Sequence, residues 1–237
     1  APVVAVSRRG LLPLSHAATA APPRLPELDD CARLRDVIRA VRAAAGEAGD
    51  WRAVVDGLRP HLDRLWTALT PAEQEAFLRH LARPWECHRH RMPPAVADRI
   101  AALRRDGAFE VRAGGILQVR AGDAGLIVTL ADGVVTVGAV INCAGPGRLP
   151  ASADPLTSVL LGARLARVGP HGLGLDVDPA GRMVAADGVP HARLWLVGPL
   201  RRGTLWETTA MPEIRAQAVR LAGDLSARET MDLRPAA

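Results

Sequence analysis

Two arginines follow a short β-branched run near the amino terminus. Residues 3–6 (VVAV) form a short β-branched run that leads directly into Ser7, Arg8 and Arg9. At the end of the second strand of a Rossmann unit, a carboxylate accepts the adenosine ribose hydroxyls, whereas arginine pairs with a 2′-phosphate. The pattern therefore favours NADPH binding by Ser7, Arg8 and Arg9, and a solvated basic turn is the alternative.

A second group of chemically capable side chains lies at residues 85–91 (WECHRHR). Cys87 and the two histidines are possible metal ligands, but a tetrahedral site needs a further ligand and no spaced partner pair is present, so no metal is predicted. A basic loop here suits an anionic substrate, a phosphate or a partner's carboxylate, and a capped turn between helices is the alternative. The candidate substrate or anion-binding residues are His88, Arg89, His90 and Arg91.

Glycines close two apolar runs, at residues 140–145 and 194–198, which predict buried parallel strands. Open α/β sheets bind ligands at the carboxyl ends of such strands, although a lone glycine is equally compatible with a turn. Neither a GxGxxG fingerprint nor a P-loop occurs, so a bound dinucleotide would need a phosphate loop upstream of Ala1. The candidate cofactor-binding residues at the two ends are Gly145, Pro146, Gly198 and Pro199.

The segment 201–215 (RRGTLWETTAMPEIR) joins the second run to a predicted helix. Backbone N–H groups and the dipole at a helix N-terminus stabilise negative charge, such as a phosphate or the N1/O2 edge of a flavin. Without a cofactor, Thr208, Thr209 and Glu213 are ordinary capping residues. The candidate cofactor-binding residues of this segment are Gly203, Thr204, Trp206 and Glu207.

Three blocks must position these side chains. Residues 1–28 combine a short strand with a proline-rich connector, residues 29–106 have helical periodicity, and residues 107–237 return to strands. Three β-branched runs separated by glycine-containing turns predict a meander at the start of the last block. The predicted fold is α/β, a partial Rossmann-like fold with a three-stranded β-meander and an all-helical insertion.

Local signals place several helix ends. Asp29 or Asp30 is expected to cap the first helix, and Gly46 is expected to end it. A capping box predicts a helix that begins at Pro71. Further helices are predicted after Pro60, from Pro93-Pro94 to Gly107, at 155–161 and from about Pro212 onward. These expectations define the scaffold on which the candidate sites would lie.

Composition excludes several classes of function. The chain has 237 residues, of which 49% are hydrophobic and 23% charged, and all 30 of its basic residues are arginine. These arginines alternate with acidic residues and aromatics are only 3%, which argues against a nucleic-acid partner. The apolar run 126–147 is as long as a membrane span, but Asp132-Gly133 favours a hairpin turn, so no membrane insertion is predicted.

Cysteine usage and the amino-terminal residues bear on location. Cys31, Cys87 and Cys143 are far apart without a CxxC pair, which favours a reducing cytoplasm. A twin-arginine export signal at residues 7–20 is the alternative, but its hydrophobic region contains Pro13 and an apolar run precedes its arginines. Residues 3–6 are also compatible with an internal strand of a longer protein.

Four phrases in order resemble one family. They are SRRGLLPLSHA at 7–17, WECHRHRMPP at 85–94, VINCAGP at 140–146 and VGPLRRGTLWETTAMPEIRAQA at 197–218. They resemble the FAD-NAD(P)-binding proteins, relatives of two-dinucleotide-binding-domain flavoproteins that include flavin monooxygenases. The similarity runs along nearly the whole chain and implies an FAD-binding Rossmann domain interrupted by an NAD(P)-binding domain. This chain looks like the carboxyl half of such a protein.

The resemblance also implies roles for residues. By similarity, Arg8 and Arg9 would contact NADPH, Gly145 would lie near the FAD, and Gly198 with the following turn would lie near the flavin. Many flavoproteins of this architecture have Asp after the glycine that corresponds to Gly198, where this chain has Pro199. The implied cofactors are FAD and NADP. Residues 1–28 would be a remnant of the NAD(P)-binding domain, and residues 107–237 would hold the meander and the end of the FAD-binding domain.

The expected function is therefore part of an FAD-dependent, NAD(P)H-linked oxidoreductase, with monooxygenase as one candidate activity. Hydride would pass from NADPH to the flavin, and the reduced flavin would react onward with O2 or an acceptor; a small-molecule substrate is expected. The missing amino-terminal half of the same protein is the expected partner, and the isolated chain is expected to be inactive. The alternative is a non-catalytic nucleotide-fold module that binds a partner protein through the helical insertion at 29–106.

Overall fold

The computed structural model describes residues 2–29 and 31–232, which form a mixed α/β protein with two compact units. The first unit comprises Ala1–Pro60 with Pro71–Cys143, and the second comprises His61–Thr70 with Ala144–Ala237. The predicted blocks 1–28, 29–106 and 107–237 follow composition along the chain, whereas these units follow spatial proximity. The blocks therefore stay a prediction.

A parallel pair of strands forms the sheet nearest the amino terminus of the first unit. Strand β1 (Val3–Ser7) pairs with β2 (Phe109–Ala113), in register from Val3 opposite Phe109 to Ser7 opposite Ala113. Parallel neighbours need a long crossover connection, and here the helical segment of the chain provides it. The strand predicted at residues 3–6 is confirmed, and its carboxyl end lies beside that of β2.

Helices occupy most of the chain between β1 and β2. They are α1 (Leu34–Ala48), α2 (Trp51–Leu58), α3 (Leu62–Ala68), α4 (Pro71–His80), α5 (Ala82–Arg89) and α6 (Pro94–Arg105). Helix α3 belongs to the second unit and the others to the first. The predicted helix starts at Pro71 and near Pro94 are confirmed, because proline at the first helical position removes an N–H that has no intrahelical partner.

The ends of α1 differ from the prediction. The helix continues through Gly46 and ends at Gly49, whose φ of 68° is the left-handed conformation that glycine adopts most readily. Of the two expected caps, Asp30 lies outside the described residues, and the N-cap is Arg33. The Glu73 carboxylate from α4 accepts a hydrogen bond from the Leu34 N–H at 3.1 Å, so a side chain distant in sequence supplies the acceptor.

The predicted meander is confirmed in the first unit. Strands β3 (Ile116–Gly122), β4 (Gly125–Leu130) and β5 (Gly133–Val137) form an antiparallel sheet in sequence order. The apolar run suspected of spanning a membrane thus contains a hairpin, in which Leu130 lies opposite Gly133. Within residues 2–29 and 31–232, no helix has both the length and the apolar character needed to cross a bilayer.

The two predicted buried parallel strands are wrong. Residues 140–145 are exposed and have no strand structure, and Ile141 is 84% exposed. A strand of a parallel sheet needs at least one hydrogen-bonded neighbour and cover on both faces, and among the described residues no strand pairs with this segment. The second run supplies only the end of β7 (Pro190–Trp195), which pairs antiparallel with β6 (Arg182–Val184).

The second unit is built around a small apolar core. Its remaining helices are α7 (Pro155–Gly162) and α8 (Met211–Asp232), both close to the predicted positions. Asp154 caps α7 by accepting hydrogen bonds from the N–H groups of Leu156 and Thr157. The core consists of Ala166, Leu175 and Met183, with Leu149, Leu160, Leu161, Leu196 and Leu200 packed against it. Leu196, from the run expected to be a strand, therefore serves as a core residue beyond β7.

Helix α2 packs closely against the connector that precedes α1. The Arg24 N–H donates to the Ala53 carbonyl at 2.9 Å, and a Cβ on Gly57 would occupy the space of the Arg24 carbonyl. Gly46, in α1, has open space around the same position. Packing therefore excludes a side chain at Gly57 and leaves room for one at Gly46.

Alanine substitutions at these glycines should have opposite effects on stability. Gly57→Ala should lower the free energy of unfolding by about 1–3 kcal/mol, because the added methyl meets backbone that cannot yield without moving the connector. Gly46→Ala should raise it by about 0.5–1 kcal/mol through helix propensity alone. Urea denaturation measures both values. A stabilising Gly57→Ala would contradict the packing of α2 on Arg24.

Candidate functional site

The turn after β1 is fixed by backbone hydrogen bonds at the carboxyl ends of both parallel strands. The Gly10 N–H lies 3.1 Å from both the Ser7 carbonyl and the Ser7 hydroxyl oxygen, and the Gly114 N–H donates to the same carbonyl at 2.9 Å. Gly10 has a φ of 59°, and a Cβ there would lie 3.1 Å from the Ala113 nitrogen. Ser7 therefore shapes the turn.

The two arginines of this turn have different environments. Arg9 donates to the carbonyls of Arg79 and His80 at the carboxyl end of α4, the latter at 3.0 Å. A guanidinium at this position satisfies carbonyls that lack intrahelical partners. Arg8 is exposed, and within the described parts of the chain its guanidinium has no hydrogen-bond or ion-pair partner. Arg8 is thus the side chain of this turn that is available to an anion.

The structure brings two of the four family-like phrases together. The chain that follows the arginine turn runs beside the end of α5, where the Leu14 N–H donates to the Cys87 carbonyl at 2.9 Å. Leu14 and His16 also exchange backbone hydrogen bonds with Met92, at 2.8 and 2.9 Å. Residues 11–16 and residues 87–92 therefore form one packed layer in the first unit.

Only His90 and Arg91 of the predicted loop at 88–91 lie outside a helix. Helix α5 continues through Arg89, because Pro84 lies in the first turn of that helix, where its missing N–H has no consequence. His88 donates from Nδ1 to the Pro84 carbonyl at 2.7 Å, and its ring meets Trp51 edge-on at 4.7 Å. Arg89 is buried, and only His90 is exposed. The basic side chains thus do not line one open loop.

Arg91 is already neutralised by a carboxylate. Its guanidinium forms an ion pair with Asp56, and the Arg91 side chain is buried. Arg52 stacks over the Trp51 ring at 4.5 Å, and its backbone N–H holds the pKa of Asp50 below its ordinary value. This cluster joins α2 to the end of α5. Arg91 therefore contributes to packing in the first unit.

Gly145 and Pro146 are exposed in a segment without secondary structure. Gly145 has a φ of 74°, and a side chain there would meet no atom within 4 Å. Gly145 and Pro146 therefore lie in an open segment, and not at the end of a buried strand as predicted.

Gly198 lies in a closed ring of three buried hydrogen bonds. The Gly198 N–H donates to Gln217 Oε1 at 2.8 Å, the Thr208 hydroxyl donates to the Gly198 carbonyl at 2.6 Å, and Gln217 Nε2 donates to Thr208 Oγ1 at 2.9 Å. Gly198 has a φ of 86°, which favours glycine, while Pro199 begins a short 3₁₀ turn. Both backbone polar groups of Gly198 are therefore used within the chain.

The following residues form an aromatic cluster in the second unit. The Trp66 indole N–H donates to the Gly203 carbonyl at 2.8 Å, and the Trp66 and Trp206 rings lie 5.3 Å apart. The Arg202 guanidinium stacks over Trp206 at 4.6 Å. Gly203 cannot carry a side chain without displacing the Pro170 carbonyl. Gly203 and Trp206 thus hold the segment against α3.

The other two predicted residues of this segment, Thr204 and Glu207, have polar side chains. Glu207 is buried. Thr204 is partly buried, and its hydroxyl oxygen has no accessible surface and no hydrogen-bond partner in the described part of the chain. A buried unmatched hydroxyl is uncommon in proteins, so Thr204 is a candidate contact for a bound polar group.

Sequence reasoning missed a polar cavity in the second unit. It has a volume of about 220 Å³ and is lined in part by Asp63, Arg201, Gln217 and Arg220. Burial raises the pKa of Asp63, with Arg220 and Arg201 partly opposing that effect, and burial lowers the pKa of Arg201. Asp63 comes from α3 and Arg201 from the turn before α8, so no local spacing could have signalled their proximity.

Metal-ligand geometry and the comparisons with known proteins add no assignment. Within residues 2–29 and 31–232, no three His, Cys, Asp or Glu side chains are grouped as metal ligands. No protein-family model matches the chain, and no curated protein matches it.

The hydrogen-bonded ring at Gly198 should be important for stability. Thr208→Val keeps the shape of the side chain but removes the acceptor of Gln217 Nε2. It also leaves the Gly198 carbonyl with the Arg201 N–H as its remaining donor, so the free energy of unfolding should fall by about 1–3 kcal/mol. The neighbouring Thr209 is exposed, and Thr209→Val should change stability by less than about 0.5 kcal/mol. Equal effects in chemical denaturation would show that the ring does not hold the segment.

Asp63 should make stability depend on pH. Because the folded state raises the pKa of Asp63 above its ordinary value of 3.8, folding favours the protonated carboxyl, and stability falls as pH rises through the folded pKa. Asp63→Asn should therefore raise the Tm at pH 7 by up to a few degrees, and the gain should vanish toward pH 3. The control is Asp224→Asn, at an exposed position that also lines the cavity. A gain that persists at pH 3 would contradict the assignment.

Proposed function

We propose that this chain forms part of an FAD-dependent, NADPH-linked oxidoreductase and supplies the turn that recognises the 2′-phosphate of NADPH. One observation carries the proposal: the parallel strands β1 and β2 end together, and the exposed Arg8 follows directly at that edge. Ligands of open α/β sheets bind at the carboxyl ends of parallel strands. An arginine that has no partner among the described residues suits a phosphate, which accepts paired N–H groups.

Arg8 and Arg9 have separate tasks in this proposal. Arg8 would bind the phosphate, while Arg9 positions the turn by its hydrogen bonds to the carbonyls of Arg79 and His80. Ser7 supports the same turn, since its carbonyl and hydroxyl oxygens both lie within hydrogen-bond distance of the Gly10 N–H. NADPH selectivity thus rests on Arg8.

The residues expected near the flavin differ in whether they have a hydrogen-bond donor left to offer it. Gly198 has no spare N–H, because its donor is held by Gln217, and Pro199 has none. Thr204 does fit, since its buried hydroxyl lacks a partner among the described residues and can donate to a polar edge of the cofactor. When bound, FAD would supply the chemistry by accepting a hydride from NADPH, with NADP⁺ as the product. Monooxygenation of a small molecule is the candidate onward reaction.

Two further parts of the proposal concern the rest of the protein and its location. The glycine loops that both dinucleotides require would be supplied by the amino-terminal half of the same protein. Cys31, Cys87 and Cys143 all lie among the described residues and none forms a disulfide. We therefore propose a reducing, cytoplasmic location.

The visible spectrum of the complete gene product tests the oxidoreductase proposal. The purified protein should carry flavin absorption that bleaches when NADPH is added without oxygen, and NADH should bleach it more slowly. The 237-residue chain, purified separately with added FAD, should oxidise no NADPH. A colourless complete protein that takes up neither cofactor would overturn the proposal.

Arg8→Ala should weaken binding of the 2′-phosphate selectively. In the complete protein, affinity for NADPH should fall about 10–100-fold, because a charge-assisted contact is lost, while affinity for NADH should change little. Arg9→Ala should chiefly lower the Tm, because the carbonyls at the carboxyl end of α4 lose their guanidinium donor. Arg105→Ala, at an exposed position on α6, is the control. Equal losses of NADPH and NADH affinity in Arg8→Ala would contradict a 2′-phosphate contact.

One observation favours the partner-binding alternative. A shallow groove on α1 is lined by Arg35, Arg39 and Arg42 with Ile38 between them, and all three arginines are exposed. Such a surface suits an acidic protein segment. Reversing the three charges to glutamate would abolish binding of that partner and leave the NADPH response intact. Under the oxidoreductase proposal, the spectrum described above is the deciding measurement.

A further inference from the structure

The cavity of about 220 Å³ in the second unit has both charged and apolar side chains in its lining, and one of the charged side chains is a buried arginine. Arg201 is 8% exposed and enters the cavity from the 3₁₀ turn after Gly198. Leu196, Leu205 and Leu221 supply apolar surface to the same space. By volume the cavity would hold about seven water molecules. It is therefore large enough for a small organic molecule with a polar end.

Arg201 is the unusual member of this cavity. Its Nε is buried without a hydrogen-bond partner, and in the described part of the chain its guanidinium has neither a hydrogen bond nor an ion pair. Gly181 leaves room for it: a Cβ there would lie 3.1 Å from Arg201 Nη1. An arginine keeps its charge at neutral pH, and an uncompensated buried charge is strongly unfavourable.

Neighbouring charges do not satisfy Arg201. Asp63 lines the same cavity and Asp178 also attracts the guanidinium, but in the described residues no ion pair joins either carboxylate to Arg201, so both act only at longer range. Arg220 adds a second positive charge, which disfavours the charged form of Arg201 further. Gln217 presents an amide that uses one N–H on Thr208, and an amide has a second.

We infer that this cavity binds the carboxylate of a small organic acid, held by the guanidinium of Arg201. A guanidinium donates two parallel N–H groups, which match the two oxygens of a carboxylate. The leucine side chains would cover a short apolar tail. This site is separate from the proposed NADPH turn, since Arg8 belongs to the first unit and every residue that lines the cavity belongs to the second.

Inorganic phosphate fits the cavity less well. It carries up to two negative charges at pH 7, and Asp63 and Asp224 both line the space and repel a dianion more than a monoanion. Phosphate also lacks an apolar part, so the leucine surface would stay uncovered. These two differences decide in favour of a monocarboxylate.

Titration of the nitrogen-15-labelled 237-residue chain tests the inference. Sodium butyrate, sodium phosphate and sodium chloride are compared at equal ionic strength and pH 7, with the arginine Nε–H resonances as the readout. The Arg201 resonance is assigned as the one lost in Arg201→Lys. Butyrate should shift it saturably, with a dissociation constant on the order of millimolar for so small a ligand. Chloride should leave it unchanged, and phosphate should act at least tenfold more weakly.

Calorimetry on variants separates the site from general charge effects. Arg201→Lys keeps the charge but loses the paired donors, so butyrate affinity should fall about tenfold or more. Asp63→Asn removes a repelling carboxylate and should tighten binding. Arg215→Ala, at an exposed position on α8 that does not line the cavity, is the matched control and should have no effect.

Each other outcome overturns the inference. An unshifted Arg201 resonance up to high butyrate concentration, or butyrate binding unchanged in Arg201→Lys, would exclude a carboxylate at this guanidinium. Stronger binding of phosphate than of butyrate would exclude the organic-acid assignment. The wild-type resonance alone decides the case if Arg201→Lys fails to fold, because selective isotope labelling and mutation of the remaining arginines can assign it.

Discussion

The second unit depends on the hydrogen-bonded ring that joins Gly198, Thr208 and Gln217. All three residues are buried, so each donor and acceptor has lost water and must keep its partner within the chain. Only a glycine adopts the conformation at residue 198 readily, and that conformation directs its N–H toward α8 and its carbonyl toward Thr208. The ring therefore fixes where α8 begins relative to the turn at 199–201. That turn is what buries Arg201 beside the cavity.

Several residues expected to bind cofactors instead define the shape of their own segments. Ser7 and Arg9 hold the turn after β1, and Gly203 accepts the indole N–H of Trp66. Once these groups are used internally, few polar side chains remain for a ligand. Arg8 is exposed, whereas Thr204 has a buried unmatched hydroxyl. A polar group that is engaged within the fold lowers the energy of the folded state, while one left unmatched raises it unless a ligand binds.

Local rules predicted the parts of the fold that local interactions determine. Proline at a helix start and glycine-containing turns between β-branched runs gave α4, α6, α7 and the meander, because each depends on a few neighbouring residues. The runs at 140–145 and 194–198 failed as parallel strands, since pairing depends on partners elsewhere in the chain. The candidate site residues show the same difference between local and long-range interactions. The sequence pointed to Arg8, but not to Asp63 and Arg201, whose proximity depends on the packing of α3 and α8.

The chain has arginine and no lysine, and two of its arginines with buried side chains, Arg91 and Arg201, have different surroundings. A buried lysine can lose its proton, but arginine stays charged, so each buried guanidinium requires an acceptor. Arg91 obtains one from Asp56, and the pair joins α2 to the segment that follows α5 in the first unit. Arg201 has no such carboxylate within ion-pair distance in the described residues, although Asp63 lines the same cavity. Burying Arg201 without an anion therefore lowers the stability of the second unit. A carboxylate bound to the guanidinium would restore that stability, and the leucine side chains of the cavity would cover the apolar part of the ligand.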